Sequence, residues 1–236
     1  MNLLLLTPED FLSGDSVRVS GFRARHIIKV LRAKVGDPLR CGLLGGDTGR
    51  GQITDISTDA VSLRVTLDTP PPAKLPLTLL LALPRPKMAR RTLRAATELG
   101  VSRIILLNSQ RVDKSYWQSP LVDEAHLHAA MIEGLEQSGD TILPELQRAR
   151  GFKPFVEDRL PALLSGKTGL LAHPYSAATA PTGITGNCLL AIGPEGGFIP
   201  YELEKLEAAG LQSFTLGPRI LKVETAVSAI IGRLFL

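Results

Sequence analysis

The chain has 236 residues, is 44% hydrophobic and 21% charged, and carries a formal net charge of +4. This is enough for one large domain or two smaller ones, with a core that needs no metal or disulfide staple. Cys41 and Cys188 fit no metal or redox spacing and are expected as small core residues in a reducing cytosol. No apolar stretch approaches the length that spans a bilayer.

In chain order, Met1 to Leu6 is expected as a first strand, because Thr7-Pro8-Glu9-Asp10 ends the leucine run and no basic leader precedes it. Further short β-like runs follow at Ser16–Val19, Pro38–Gly42, Gly51–Ser57 and Val61–Leu67, separated by Gly and Asp turns. One helical patch, Arg23 to Leu31, interrupts them. The pattern predicts a small β-barrel-like domain over 1–69. Thr69-Pro70-Pro71-Pro72-Ala73 is a stiff polyproline boundary, with the linker placed at 70–76.

The pattern then changes over 77–236. Leu77–Leu83 is a continuous apolar run suited to a strand buried on both faces. Lys87–Leu99 is helical and stops at Gly100. Arg103–Leu107 is the next strand, and a helix is predicted from Ser119-Pro120 to Ser138, ending at Gly139. Gly169–Ala172, Cys188–Ile192 and Ser213–Leu216 are further short strands, and Pro200–Ala209 and Val223–Phe235 further helices. Such alternation predicts an α/β fold, a mostly parallel sheet with helices on both faces, whose ligands bind at the carboxyl ends of the strands.

The most informative stretches lie at those ends. Ala191-Ile192-Gly193-Pro194-Glu195-Gly196-Gly197-Phe198 and Leu216-Gly217-Pro218-Arg219-Ile220-Leu221-Lys222-Val223-Glu224-Thr225-Ala226 each join a strand to a helix. Loops this rich in Gly and Pro expose backbone groups to a ligand. Neither matches a Walker loop or GxGxxG. The four histidines form no metal set; His173 is expected to line the pocket edge. Cations cluster elsewhere: five plus His26 between Arg23 and Lys34 with no acid, and eight between Arg85 and Lys114 against Glu98 and Asp113. Clustered cations suggest a polyanion partner. Arg25, Lys29 and Arg32 fall at i, i+4 and i+7, as do Lys87, Arg91 and Arg94. Each trio is expected on one helix face, with Met88, Ala95 and Leu99 opposite the second.

These residues resemble the 16S ribosomal RNA uridine-N3 methyltransferases of the SPOUT superfamily. Five segments carry the resemblance, in order: Arg25-His26-Ile27-Ile28-Lys29-Val30-Leu31-Arg32 with Val35-Gly36-Asp37; Ala96-Thr97-Glu98-Leu99-Gly100-Val101; Glu136-Gln137-Ser138-Gly139; Ile192–Phe198; and Leu216–Ala226. Three departures mark a divergent branch. Leu83-Pro84-Arg85-Pro86-Lys87-Met88 is one residue shorter than the family's usual segment, Lys222 and Val223 stand where Arg and Thr are common, and Ala172-His173-Pro174 is atypical.

The resemblance implies a PUA-like RNA-binding domain, a C-terminal SPOUT domain with a trefoil knot, and a cytoplasmic homodimer. It implies S-adenosylmethionine as cofactor, held by Ala172, His173, Ile192, Gly193, Pro194, Glu195, Gly196, Gly197, Leu216, Gly217, Ile220, Leu221, Val223 and Thr225. RNA contacts are expected from Arg25, His26, Lys29, Arg32, Arg85, Lys87, Arg111, Arg219 and Lys222. Arg219 is the expected anion stabiliser, Glu224 the first candidate base and Glu195 the second; no metal or membrane is implied. Two other readings stay open. One is a noncatalytic RNA-binding or ribosome-assembly factor with a vestigial pocket, which cofactor calorimetry separates. The other is a SPOUT methyltransferase acting at another RNA position, which product identity separates.

Overall fold

The computed structural model describes residues 2–235; Met1 and Leu236, the outer ends of the two expected domain ranges, lie outside the described residues. The chain divides into two compact units, Met1–Pro72 with Leu135–Leu143, and Ala73–Gly134 with Pro144–Leu236.

The N-terminal unit is built on β1 (Leu4–Leu6), β2 (Phe11–Ser13), β3 (Ser16–Ser20), α1 (Gly21–Arg25), β4 (Pro38–Leu43), β5 (Thr48–Ile56) and β6 (Ala60–Thr69). Its sheet has the order β1-β4-β5-β6-β3-β2. β1 runs parallel to β4 and the other neighbours are antiparallel. Alternation puts Val17 and Val19, Ile53, and Val61, Leu63 and Val65 into one core with Leu4, Leu6, Ala24, Ile27 and Cys41. Burial pushes the Cys41 thiol up to about 12.

The helix after β3 departs from expectation. Beyond Arg25 it widens into a π-helical segment, His26–Leu31, and Arg32 leaves it in the left-handed region at φ 53°. The 3.6-residue periodicity therefore fails, and Arg25, Lys29 and Arg32 do not form the predicted single α-helical face. Arg23 is tied up internally. Its guanidinium grips both carboxylate oxygens of Asp10 at 2.7 and 2.6 Å and donates to the Leu5 carbonyl at 3.0 Å. The segment 135–143 also belongs to this unit, which the sequence pattern did not reveal. Asn2 and Leu3 N–H groups donate to the Glu136 carbonyl, and Gly45 N–H donates to Thr141.

The C-terminal unit comprises β7 (Leu75–Ala82), α2 (Pro86–Glu98), β8 (Val101–Leu107), α3 (Glu124–Ser138, whose end joins the other unit), β9 (Glu145–Ala149), α4 (Phe152–Pro154), α5 (Leu160–Leu164), β10 (Thr168–Ala172), β11 (Cys188–Ile192), α6 (Pro200–Ala208), β12 (Gln212–Phe214) and α7 (Val223–Phe235). Every strand pair is parallel, in the order β12-β10-β11-β7-β8-β9. The central β7 buries every residue from Leu77 to Ala82, as a strand covered on both faces must. β9 and the helices between 152 and 164 are short elements without clear periodicity, and the sequence reading passed over them.

α2 buries Ala89, Thr92, Leu93, Ala96 and Thr97. Met88, Ala95 and Leu99 are only half-buried, so the apolar face is rotated from the expected one. α7 packs on α2. Among the described residues no helix is long and apolar enough to cross a membrane.

Two outcomes test this packing. Asp10→Ala leaves the Arg23 guanidinium without its carboxylate, and chemical denaturation is expected to show a loss of about 2–4 kcal/mol. Cys188 is pushed up to about 11 by burial, so neither cysteine of the folded protein is expected to react with iodoacetamide at pH 8, while both react in denaturant. Labelling of the native state at the unfolded rate would contradict this core.

Candidate functional site

Because the sheet is parallel, the carboxyl ends of its strands lie on one edge, and the chain reverses its direction of travel across the sheet between β7 and β11. Crevices at such reversals are the usual ligand sites of open α/β sheets. Here a cavity of about 330 Å³ lies beyond β10, β11 and β12, within the range of small-molecule sites.

Three loops line it. The first begins at Ala172, His173 and Pro174; the second supplies Ile192, Gly193, Pro194, Glu195, Gly197 and Phe198; the third supplies Leu216, Arg219, Ile220, Leu221, Lys222 and Val223. Gly196, Gly217, Glu224 and Thr225, expected at the site from sequence, are not among the lining residues. Phe214, Thr215, Ala226 and Ile230 also line it. Phe214 and Ile230 sit in ordinary apolar patterns, so nothing local distinguished them.

Each loop is held in place. Gly197 adopts φ +71°, which favours glycine, and its N–H donates to the Pro194 carbonyl at 2.8 Å. A Cβ at Gly193 would lie 3.2 Å from the Phe198 backbone nitrogen, so the turn closes tightly only without a side chain. The first and third loops zip together. His173 N–H donates to Phe214, Thr215 N–H to Ala178, and Ala180 N–H back to Thr215, at 2.8–2.9 Å.

The charged groups divide into those that hold the loops and those that face the cavity. Glu195 lines the cavity, yet its Oε1 accepts the Arg85 backbone N–H at 2.9 Å, tying the loop after β11 to the loop after β7. The Arg111 guanidinium donates to the Gly196 carbonyl. A Cβ at Gly196 would meet the Arg111 side chain at 3.0 Å. Glu202, 2% exposed, accepts the N–H groups of Gln110 at 2.7 Å and Ile199 at 3.1 Å, fixing the start of α6 against the loop after β8. Sequence reasoning missed Glu202, whose only local signal was a carboxylate in a first helical turn. Arg219 and Lys222 are exposed cations on the lining.

The other expected RNA residues are dispersed. Arg25, Lys29 and Arg32 are exposed and His26 half-buried in the N-terminal unit. Lys87 lines a separate groove with Arg90, Arg91 and Arg94. There Arg90 pairs with Glu133 at 3.3 Å, and Arg94 with Glu98 and Glu133 at 3.4 and 3.7 Å. Among the described residues no group of three or more His, Cys, Asp or Glu could hold a metal ion.

Residues 71–234 match the family model of the RNA methyltransferase domain, and residues 21–66 match that of the RNA methyltransferase PUA domain. The chain belongs to the RNA methyltransferase family. Among curated relatives, ribosomal RNA small subunit methyltransferase E of Treponema pallidum is 30% identical over 236 residues, covering 97% of this chain and 88% of that protein. The protein of the same name from Bacillus subtilis is 26% identical over 231 residues, covering 94% and 90%. Among solved structures, ribosomal RNA small subunit methyltransferase E from Neisseria gonorrhoeae, bound to S-adenosyl methionine, aligns with a TM-score of 0.76 and 25% identity, covering 98% of this chain and 95% of that one. The likeness spans both units, so this family member carries the PUA and the methyltransferase domain.

The Glu195 tether has a direct readout. Glu195→Ala removes the acceptor of the Arg85 N–H, and hydrogen exchange is expected to accelerate by tenfold or more at Arg85 and through 193–198, with the strands unchanged. Unaltered exchange would show that the loop does not depend on this contact.

Proposed function

We propose that this chain transfers the methyl group of S-adenosylmethionine to N3 of one uracil in 16S ribosomal RNA of the small subunit, acting in the cytoplasm as a homodimer. The reading rests on one observation above others: a glycine-walled cavity at the strand ends of a domain that matches the RNA methyltransferase model throughout. The full-length likeness to small-subunit methyltransferases E, one of them bound to S-adenosyl methionine, supports it. By the same resemblance, we place a trefoil knot in the loops around the cavity.

The lining suits that cofactor. Ile192, Phe198, Phe214 and Ile230 offer apolar surface for a purine and a thioether chain, and the tight turn at Gly193 brings backbone groups to the wall. Backbone groups of Ala172, Ile192, Gly193, Gly197, Leu216 and Leu221 would hold it. When bound, S-adenosylmethionine supplies a methyl group already activated on a sulfonium. The task left to the protein is alignment, with a single uracil taken out of its RNA stack.

Neutral uracil N3 carries a proton and is a poor nucleophile, so negative charge must develop over O2 and O4. Arg219, an exposed cation on the cavity wall, is placed to stabilise that charge, with Lys222 beside it in sequence. Of the two candidate bases, Glu195 commits Oε1 to the Arg85 N–H, and Glu224 lies in the first turn of α7 outside the lining. Stabilisation of the anion, with the N3 proton released to solvent water, therefore takes precedence over a dedicated base in this reading.

Arg219→Ala is expected to slow single-turnover methylation of 16S rRNA by about a hundredfold, the scale of a lost anion-stabilising donor. Cofactor affinity by calorimetry should stay within a few-fold. Glu224→Gln is expected to lose less than tenfold. A hundredfold loss in Glu224→Gln, partly rescued at high pH, would reinstate Glu224 as the base. Failure of the wild-type chain to bind S-adenosylmethionine would favour a noncatalytic RNA-binding factor.

A further inference from the structure

We propose that the outer face of β4, β5 and β6 in the N-terminal unit is a second cationic surface that grips the phosphate backbone of folded RNA through Arg40, Arg50 and Arg64. The proposal rests on the RNA methyltransferase reading and adds a surface that the basic run between residues 25 and 32 did not foreshadow.

The sheet register brings these side chains together. Arg40 on β4 stands directly opposite Arg50 on β5, and Arg50 directly opposite Thr66 on β6. One row away, Gln52 on β5 stands opposite Arg64 on β6. Directly opposed residues of antiparallel strands project from the same face, and diagonal neighbours lie roughly 7–8 Å apart. Arg40, Arg50 and Arg64 thus border one shallow groove of about 810 Å³, lined throughout by residues of this unit.

The charge there is poorly compensated from within. Asp68 is the one acid among the lining residues, and it accepts a hydrogen bond from Thr69 at 3.2 Å. Arg64 approaches Asp15 at 3.5 Å with both side chains largely exposed. Among the described residues, Arg23 pairs with Asp10 and Arg64 with Asp15, whereas Arg40 and Arg50 are in neither of these pairs. Like charges placed directly opposite each other destabilise a sheet. An arrangement that works against the fold has its explanation in an anionic ligand.

The lining also selects the kind of anion. Guanidinium forks match phosphate in bidentate geometry, and Thr66 and Gln52 add neutral donors. No aromatic side chain lines the groove, so it offers no platform for stacked bases. Contacts to phosphate fix orientation without reading sequence, which assigns this face to docking a folded RNA rather than choosing the nucleotide.

The test is filter binding of transcribed 16S rRNA across a salt series, with Arg40→Gln/Arg50→Gln against wild type. Affinity is expected to fall at least tenfold, and the slope of log affinity against log salt to flatten by about 1.4–1.8, the contribution of two phosphate contacts. S-adenosylmethionine affinity should not change, and the melting temperature should hold or rise as the opposed charges are removed. Arg50→Lys should keep most of the salt slope. Lys153→Gln/Lys205→Gln removes the same charge from the other unit and should leave binding within twofold. Retained affinity and slope in the double variant, beside a wild type that methylates RNA, would overturn this surface alone, as would an equal loss in the control or a lower melting temperature in the double variant. A wild type that binds RNA but neither binds S-adenosylmethionine nor methylates the RNA would overturn the methyltransferase reading and leave the surface standing.

Discussion

Parallel pairing of all six strands in the C-terminal unit is the constraint from which the site follows. A parallel strand cannot be reached by a tight hairpin, so the chain must return over the sheet before each new strand. All carboxyl ends therefore meet at one edge, and the loops leaving β10, β11 and β12 converge there. The pocket-forming residues are separated by up to 58 positions in sequence, from Ala172 to Ile230. Their proximity is a consequence of strand direction.

Convergence alone would give a loose crevice. The loop after β11 is fastened at three points: Glu195 to the Arg85 N–H, Arg111 to the Gly196 carbonyl, and Glu202 beneath the start of α6. All three ties run from β11's loop or the helix after it to the loops that leave β7 and β8. Preorganised backbone is the property a site needs when its work is alignment of an already activated group. The division of labour is visible in the charges, with carboxylates bound to backbone N–H groups and the cations Arg219 and Lys222 left facing the cavity.

The N-terminal unit answers a different demand. Its core is closed by alternating strands and by the Asp10–Arg23 pair, which removes one arginine from the basic run 23–34. The rest of that run passes through a π-helical segment and leaves it at the left-handed Arg32, with Arg25, Lys29 and Arg32 exposed. On β4, β5 and β6, by contrast, strand register gathers cations that sequence keeps far apart.

Hydrophobic periodicity by itself determined the change from short β runs to alternating strands and helices at the proline segment, the buried character of β7, and the existence of the two Gly/Pro loops. These are local properties: a strand's two faces, a turn's need for glycine and a proline's fixed φ are written in neighbouring residues. The resemblance to a known family drew on the same local segments. Tertiary structure decided what local pattern cannot carry. It placed Phe214 and Ile230 in the cavity wall and Gly196 and Glu224 outside it, gave Glu195 and Arg111 to loop fastening, and folded residues 135–143 into the N-terminal unit. It also wound the segment after Arg25 as a π-helix, which no i, i+4 spacing announces. The physical reason is common to all of these. A side chain's role is set by partners brought near by distant strands, and short-range spacing contains no information about those partners.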